Sequence, residues 1–398
     1  MLNQLFTKHQ KALNGLKIRF RSHLHDSIQW NERLIGIKGA RGVGKTTVVL
    51  QHIKEVYGFD RCCLYVNLDD IAFQYPNLVE LAEDFEKSGG KYLFLDEIHK
   101  YANWSQELKN IYDSFPDLHV VFTGSSILDI LKGKADLSRR AVVYRMQGIS
   151  FREFLQIETG KQFDSYALIP LLENHEQFCQ IINAEVKPFQ YFEQYLRYGY
   201  YPYYLESIEN YTYKLSNTLS LMIETELPLL LNVDIQYIGK LKKFLNLLSN
   251  NIPFKPNVTN LAAAIGISWQ SVINYLRYLD EAEIIKTVYF EGRDIKSLSK
   301  PDMVYLHHPN HFYVFNAEMT NRGNLRESFF INQLLYKNIV ESAQKGDFVV
   351  NNKYHFEIGG KNKTYHQIAN LKDSYIAADE IEFGYKNKIP LWLFGFLY

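Results

Sequence analysis

Cysteine is scarce in this chain. Cys62, Cys63 and Cys179 are the only three in 398 residues, and none stands in a C-x-x-C pair. That excludes a disulfide framework and a zinc or thiol-redox centre of that spacing. Net charge is missing as well, since 44 Lys and Arg balance 44 Asp and Glu. No global basic field exists, so nucleic acid or anionic lipid could be met only by a local patch. Long apolar runs are absent too. The opening MLNQLFTKHQKALNG lacks the apolar stretch of a secretory signal, and residues 389–398, the most apolar segment, fall short of the roughly 20 needed to cross a bilayer. The expectation is a soluble, cytoplasmic protein with no membrane partner. No internal repeat or low-complexity tract appears.

What is abundant is aromatic: 29 Tyr and 26 Phe. Core packing accounts for such an excess, although aromatics also build stacking surfaces. Hydrophobic residues at 46% and charged residues at 22% match ordinary globular usage. At roughly 150 residues per domain, the length implies two or three domains.

The first 150 residues alternate apolar runs with amphipathic stretches. LIGIK (34–38), CLYVN (63–67), YLFLD (92–96), HVVFT (119–123) and AVVYRMQ (141–147) have strand character. Helical spacing follows the first and third. This pattern predicts an α/β fold with a parallel sheet covered on both faces. Residues 150–232 turn helical and Tyr-rich, interrupted at GYYPYYLE. VTNLAAAIGISWQSVINYLRYLDEAEIIKTVYF then reads as helix, turn at Gly266, helix from Ser268, and strand, with Leu261, Ile265, Val272, Ile273, Leu276 and Leu279 on the apolar face. The expected segments are a P-loop domain over 1–155, a helical lid over 156–235, a winged-helix-like module over 236–295 and a mixed α/β domain over 296–398.

GARGVGKT (39–46) fits G-x-x-x-x-G-K-[ST], directly after an apolar strand and before a helix. Glycines let such a loop turn its amides inward as a nest for phosphate oxygens, and the following helix aims its positive end at the same anion. Gly39, Ala40, Arg41, Gly42, Val43, Gly44, Lys45, Thr46 and Thr47 are therefore the expected nucleotide contacts. Lys45 would reach the β- and γ-phosphates and Thr46 would ligate Mg²⁺. Arg41 either adds charge to the loop or is solvated, and Thr47 reads more naturally as a helix residue than as a second metal ligand.

Asp96 and Glu97 end the strand YLFLD, facing the crevice where α/β sheets bind ligands. Asp96 would hold Mg²⁺, and Glu97 would polarise an attacking water as general base. An N-cap pair opening the next helix is the competing role. Between Lys45 and Asp96 there is room for a helix and the extra strand CLYVN. This resembles P-loop ATPases with a catalytic glutamate, in which another strand lies between the loop strand and the acidic strand. The guanine-reading Asn-Lys-x-Asp is absent, so the resemblance favours ATP over GTP.

GARGVGKTT, LFLDEIHK, VVFTGSSIL, DLSRR, ISFREFL, KPDMVYLHHP and IPLWLFGFLY together resemble prokaryotic AAA-type ATPases that carry a C-terminal domain of unknown function. The resemblance spans nearly the whole chain and implies ATP binding with hydrolysis, without a substrate; it leaves the oligomeric state open, a homo-oligomer being one arrangement. It makes Thr123 and Ser125 candidates for the polar residue that positions the lytic water, a strand-ending turn being the alternative. Arg139 and Arg140 become candidates for an arginine presented to a neighbouring subunit, against plain surface solvation.

The helix–turn–helix resembles a winged helix, in which the second helix enters the DNA major groove. Residues 268–280 carry Arg277 as their one basic residue, followed by Asp280, Glu281 and Glu283. Packing against a neighbouring domain is the alternative to DNA contact. The last segment resembles the restriction-endonuclease-like fold, with Glu327, Asp347 and Glu357 as its acidic residues. Lys361 would share a face with Glu357 if the strand ran on, and Gly359-Gly360 argues for a turn that breaks it. Nuclease activity is not the expected reading. His307-His308 reads as a loop, and IPLWLFGFLY as a buried terminal strand. Beside a Mg²⁺-dependent ATPase acting on a protein or DNA partner stand two rivals: a non-hydrolytic ATP switch and an ATP-gated nuclease.

Overall fold

The computed structural model describes all residues except 72, 74, 126–136, 138, 229–237, 250–253, 293–299 and 316–320. Ser126, Asp136, Ser138 and Pro253 lie outside the described residues. The chain divides into two compact units, Met1–Gly148 and Ile149–Tyr398.

The first unit is built on five strands, β1 (Leu34–Gly39), β2 (Cys63–Asn67), β3 (Tyr92–Asp96), β4 (His119–Ser125) and β5 (Val142–Arg145). They form one sheet in the order β2-β3-β4-β1-β5, parallel throughout. The apolar runs of β1 to β4 are buried on both faces, as a parallel sheet requires, while the edge strand β5 is partly exposed, with Val142 at 38%. Between them run α3 (Lys45–Val56), α4 (Leu78–Lys87) and α5 (Trp104–Ser114), preceded by α1 (Leu2–Gly15) and the short α2 (His23–Ser27). α4 starts where Asn77 accepts the Glu80 N–H at 2.8 Å. The strand between β1 and β3 is β4, not CLYVN. CLYVN is β2, at the sheet edge, because the chain returns across β3 before it inserts β4.

The second unit opens with α6 (Phe151–Thr159), which starts inside a capping box formed by Ser150 and Glu153. The expected boundary at 155 thus falls within a helix. Ser150 Oγ and Arg152 Nε both donate to the Tyr398 carbonyl, at 3.0 and 2.9 Å, so ISFREFL and the final residues form one packing unit. α7 (Leu168–Glu185) and α8 (Pro188–Tyr198) follow.

Helices Val258–Ile265 and Trp269–Glu281 flank Gly266, which adopts φ 71°, and Ser268 Oγ accepts the Ser271 N–H at 3.0 Å. The six expected apolar residues are all buried. An antiparallel ribbon, β6 (Ile285–Val288) with β7 (Met303–Leu306), completes the module. Trp269 is 45% exposed and Arg277 also faces solvent. A five-stranded mixed sheet follows, in the order β12-β11-β10-β9-β8. Its members are β8 (Val340–Ser342), β9 (Phe348–Val350), β10 (Tyr354–Gly359), β11 (Ser374–Ala378) and β12 (Lys388–Pro390).

One expectation needs correction here, and another proves to concern the core. The end of the chain is not a strand. Only Lys388–Pro390 pairs, and Leu391–Phe396 coils into a 3-10 helix whose six residues are all buried, with Trp392 Nε1 donating to the Ile381 carbonyl at 3.2 Å. A segment apolar at every position has no polar side to turn outward, so burial on all sides is compatible with a helix as well as a strand. His307-His308 is irregular in backbone but sits in the core. His307, His308, Asn310 and His311 are at most 2% exposed. Asn310 uses its whole amide: Oδ1 accepts Tyr200 N–H at 3.1 Å and the Tyr211 hydroxyl, while Nδ2 donates to the carbonyls of Tyr195 and Leu196 in the last turn of α8. The loop reading of His307-His308 holds for the backbone, and what it passed over is their burial beside His311.

Candidate nucleotide site

The loop after β1 has the geometry its glycines permit. Gly44 sits at φ 105° and caps α3 without a side chain, which leaves the first-turn amides facing the loop. At Gly39 the constraint is contact: a Cβ there would stand 2.4 Å from the Met146 carbonyl oxygen. Lys45 is 5% exposed and turns back across the loop, its Nζ donating to the carbonyls of Gly39 and Ala40 at 3.0 Å each. Ala40 and Val43 are buried, Arg41 is half-buried, and Gly42 and Thr47 face solvent. That placement makes Thr47 a surface residue of α3.

The two motifs meet at Asp96. Thr46 Oγ1 donates to Asp96 Oδ2 at 2.8 Å, joining the expected metal hydroxyl to the expected metal carboxylate. Parallel pairing makes this possible, because β1 and β3 end at the same edge of the sheet with β4 between them. Two further hydroxyls reach the same carboxylate. Tyr65 on β2 donates to Oδ2 at 2.7 Å, and Thr123 on β4 donates to Oδ1. Burial, with the Asp96 charge beside it, pushes the Tyr65 phenol far above its ordinary range, so it remains a donor.

Glu97 lies one residue on, at φ 55°, a left-handed conformation uncommon outside glycine. Its N–H donates to Thr123 Oγ1 at 3.0 Å, so a single hydroxyl ties both acids to β4. The Glu97 carboxylate stands 3.4 Å from Nε2 of the buried His99. An oxygen set of one hydroxyl and one carboxylate beside a phosphate-sized cradle suits Mg²⁺. Ser125 ends β4 opposite Gly39, at 3% exposure. Arg140 is held within the chain by a bidentate pair with Asp113, at 2.9 and 3.1 Å, while Arg139 is exposed. Thr123 and Asp96 were legible as strand-end residues. Tyr65 and His99 were missed; the register of CLYVN beside YLFLD and the D-E-x-H spacing were the available signals.

The expected acidic residues of the second unit also come into view. Glu327 lies on the helix Arg322–Leu334, Asp347 precedes β9, and Glu357 is fully buried on β10. Burial and the Asp347 charge push Glu327 up to about 7, while burial, opposed by the Ile358 N–H at 2.6 Å, leaves Asp347 at about 6. The turn that Gly359-Gly360 argued for is present, and Lys361 does not share a face with Glu357. β10 ends at Gly359, the chain turns, Lys361 faces solvent, and Lys363 reaches back to Glu357 Oε1 at 2.5 Å. Among the described residues, no group of three or more His, Cys, Asp or Glu side chains could hold a metal ion.

No helix among the described residues is long and apolar enough to cross a membrane. Residues 31–155 match a family model described as an AAA domain, and residues 189–300 match a domain of unknown function, DUF8612. The chain is 28% identical over 296 residues to the uncharacterized protein MJ1637 of Methanocaldococcus jannaschii, covering 69% of this chain and 60% of that protein. It is 25% identical over 355 residues to MJ1544 of the same organism, covering 83% and 73%. The AMPPCP-bound DnaA from Aquifex aeolicus is similar over 65% of this chain and 84% of its own, with 15% identity and a TM-score of 0.25. The S. cerevisiae Hsp104–ADP complex is similar over 71% and 41%, with 17% identity and a TM-score of 0.28. The AAA match covers the loop, the acidic strand and the five-stranded parallel sheet, so the similarity to that family takes in every part of the candidate site between residues 31 and 155.

Proposed function

We propose that this chain is a Mg²⁺-dependent ATPase whose nucleotide cycle acts on a protein or DNA partner through the second unit. The observation that carries the reading is the Thr46–Asp96 hydrogen bond, which brings the metal-binding hydroxyl and carboxylate together at the mouth of the loop. The loop amides and the α3 N-terminus hold the phosphates, and Lys45 swings from its carbonyl acceptors to the γ-phosphate. Mg²⁺, when bound, neutralises charge developing on the phosphate oxygens. Glu97 takes the proton of the attacking water, its backbone fixed by Thr123. Arg139 is exposed on the surface and Arg140 pairs with Asp113, and either would be the arginine presented to a neighbouring copy. The soluble, cytoplasmic setting belongs to the same reading.

The test is turnover and nucleotide binding by the purified full chain. Lys45→Ala should lose nucleotide binding. Glu97→Gln should keep it and turn over about 10²–10⁴-fold more slowly, the usual contribution of a general base. Unchanged turnover in Glu97→Gln removes the base assignment. Tight ATP binding by the wild type without phosphate release makes the protein a switch instead. Turnover that rises with protein concentration, or on adding DNA, identifies the shared site or the partner.

A further inference from the structure

Asp96 receives three hydroxyl groups, and they are not equivalent. Thr46 and Tyr65 share Oδ2, at 2.8 and 2.7 Å, while Thr123 takes Oδ1. Thr46 would offer an oxygen lone pair to the cation, and its geometry toward Oδ2 would then answer to the metal as well as to the carboxylate. Tyr65 is the donor on Oδ2 that has no such second task, so it would fix the rotation of that half of the carboxylate whether or not the cation is bound. We propose that Tyr65 is a positioning residue for the metal-holding carboxylate of Asp96, and that α1 holds Tyr65 in place. The inference rests on the ATPase reading above and deepens it.

The architecture supports this role. β2 is an edge strand whose inner side pairs with β3, Tyr65 lying opposite Phe94 and Asn67 opposite Asp96. The Tyr65 ring therefore reaches forward along its strand by two residues to meet the acid. On the outer side, where an edge strand leaves N–H groups without a strand partner, the Tyr65 N–H donates to Nδ1 of the buried His9 at 2.9 Å. His9 belongs to α1, outside the 31–155 region matched by the AAA model. A chain of two hydrogen bonds thus runs from α1 through Tyr65 to the acidic strand. Tyr65 also lines a cavity of about 380 Å³ together with Leu5, Lys8 and Ala12 of α1. Groups that orient a metal-holding residue typically alter metal affinity 10–100-fold when removed.

Tyr65→Phe deletes the hydroxyl and keeps the buried ring. The experiment measures binding of a fluorescent, non-hydrolysable ATP analogue in EDTA and then across a Mg²⁺ titration, alongside turnover. In Tyr65→Phe, binding in EDTA should stay within twofold of wild type, while half-saturating Mg²⁺ rises about 10-fold. Tyr75→Phe, which loses a bond to Asp84 at 3.2 Å elsewhere in the unit, should leave both unchanged. A Mg²⁺ requirement within twofold of wild type in Tyr65→Phe overturns the inference and leaves the ATPase reading standing. A wild-type protein whose analogue binding ignores Mg²⁺ removes both.

Discussion

Replacing Thr123 by valine deletes one hydroxyl and hardly changes the side chain's shape. That hydroxyl donates to Asp96 Oδ1 and accepts the Glu97 N–H at 3.0 Å. Thr123 is 1% exposed, so water cannot take over either role. A hydrogen bond to a charged group contributes about 1.5–3 kcal/mol, and an orphaned buried amide costs about 1–3 kcal/mol. Thr123→Val should therefore lose roughly 2.5–6 kcal/mol, toward the lower end because Thr46 and Tyr65 still hold Asp96 Oδ2. Urea denaturation of nucleotide-free protein measures this, provided the slope of the first unit's transition stays unchanged. Both acids also lose an anchor, and misplacing a reacting group by about 1 Å costs on the order of 100-fold in rate. Turnover should fall by about that factor, and Thr123→Ser should recover most of it. A stability loss below about 1 kcal/mol with wild-type turnover would refute the view that one hydroxyl organises both acids.

Two further predictions concern stability. Burial lowers the pKa of His52 and of His311 to about 4, and holds His308 well below the ordinary value. The unfolded chain takes up these protons near pH 6.5 and the folded chain does not, so stability is full above that pH and declines as pH falls from 6.5 toward 4. An unchanged urea midpoint between pH 7.5 and 5 would contradict this. Lys363→Met strips the cation from fully buried Glu357. With Lys363 partly in water, the cost should be roughly 1–3 kcal/mol. Adding Glu357→Gln should restore most of it, and a double variant no better than the single one would deny that the two are coupled.

The glycine-rich loop was legible because its geometry is local. Eight consecutive residues between a strand and a helix define their own shape, and Lys45 and Thr46 open the helix that follows. Asp96 and Glu97 were legible for a related reason: an apolar strand ending in acids points them at the sheet edge. The strand order was less accessible. CLYVN stood in the right place along the chain to be the inserted strand, yet β4 takes that position. Nothing local distinguishes an edge strand from a central one when both runs are apolar. The turn after Gly359 was legible, because paired glycines interrupt a strand, but that Lys363 would reach back to Glu357 was not.

The amino-acid order alone specified the elements that nucleate within a few residues, namely the loop, the capped helices and the apolar strands, and through them the phosphate and magnesium chemistry proposed above. Folding in three dimensions decided which distant groups complete that chemistry. Tyr65 is 31 residues from the Asp96 it bonds, and His9 is 56 from Tyr65. Asn310 saturates its amide with groups about a hundred residues away. Such pairs leave no periodic trace in the chain. A hydrogen bond needs only that two atoms meet at the right distance and angle, and that meeting is a property of the packed sheet and helices.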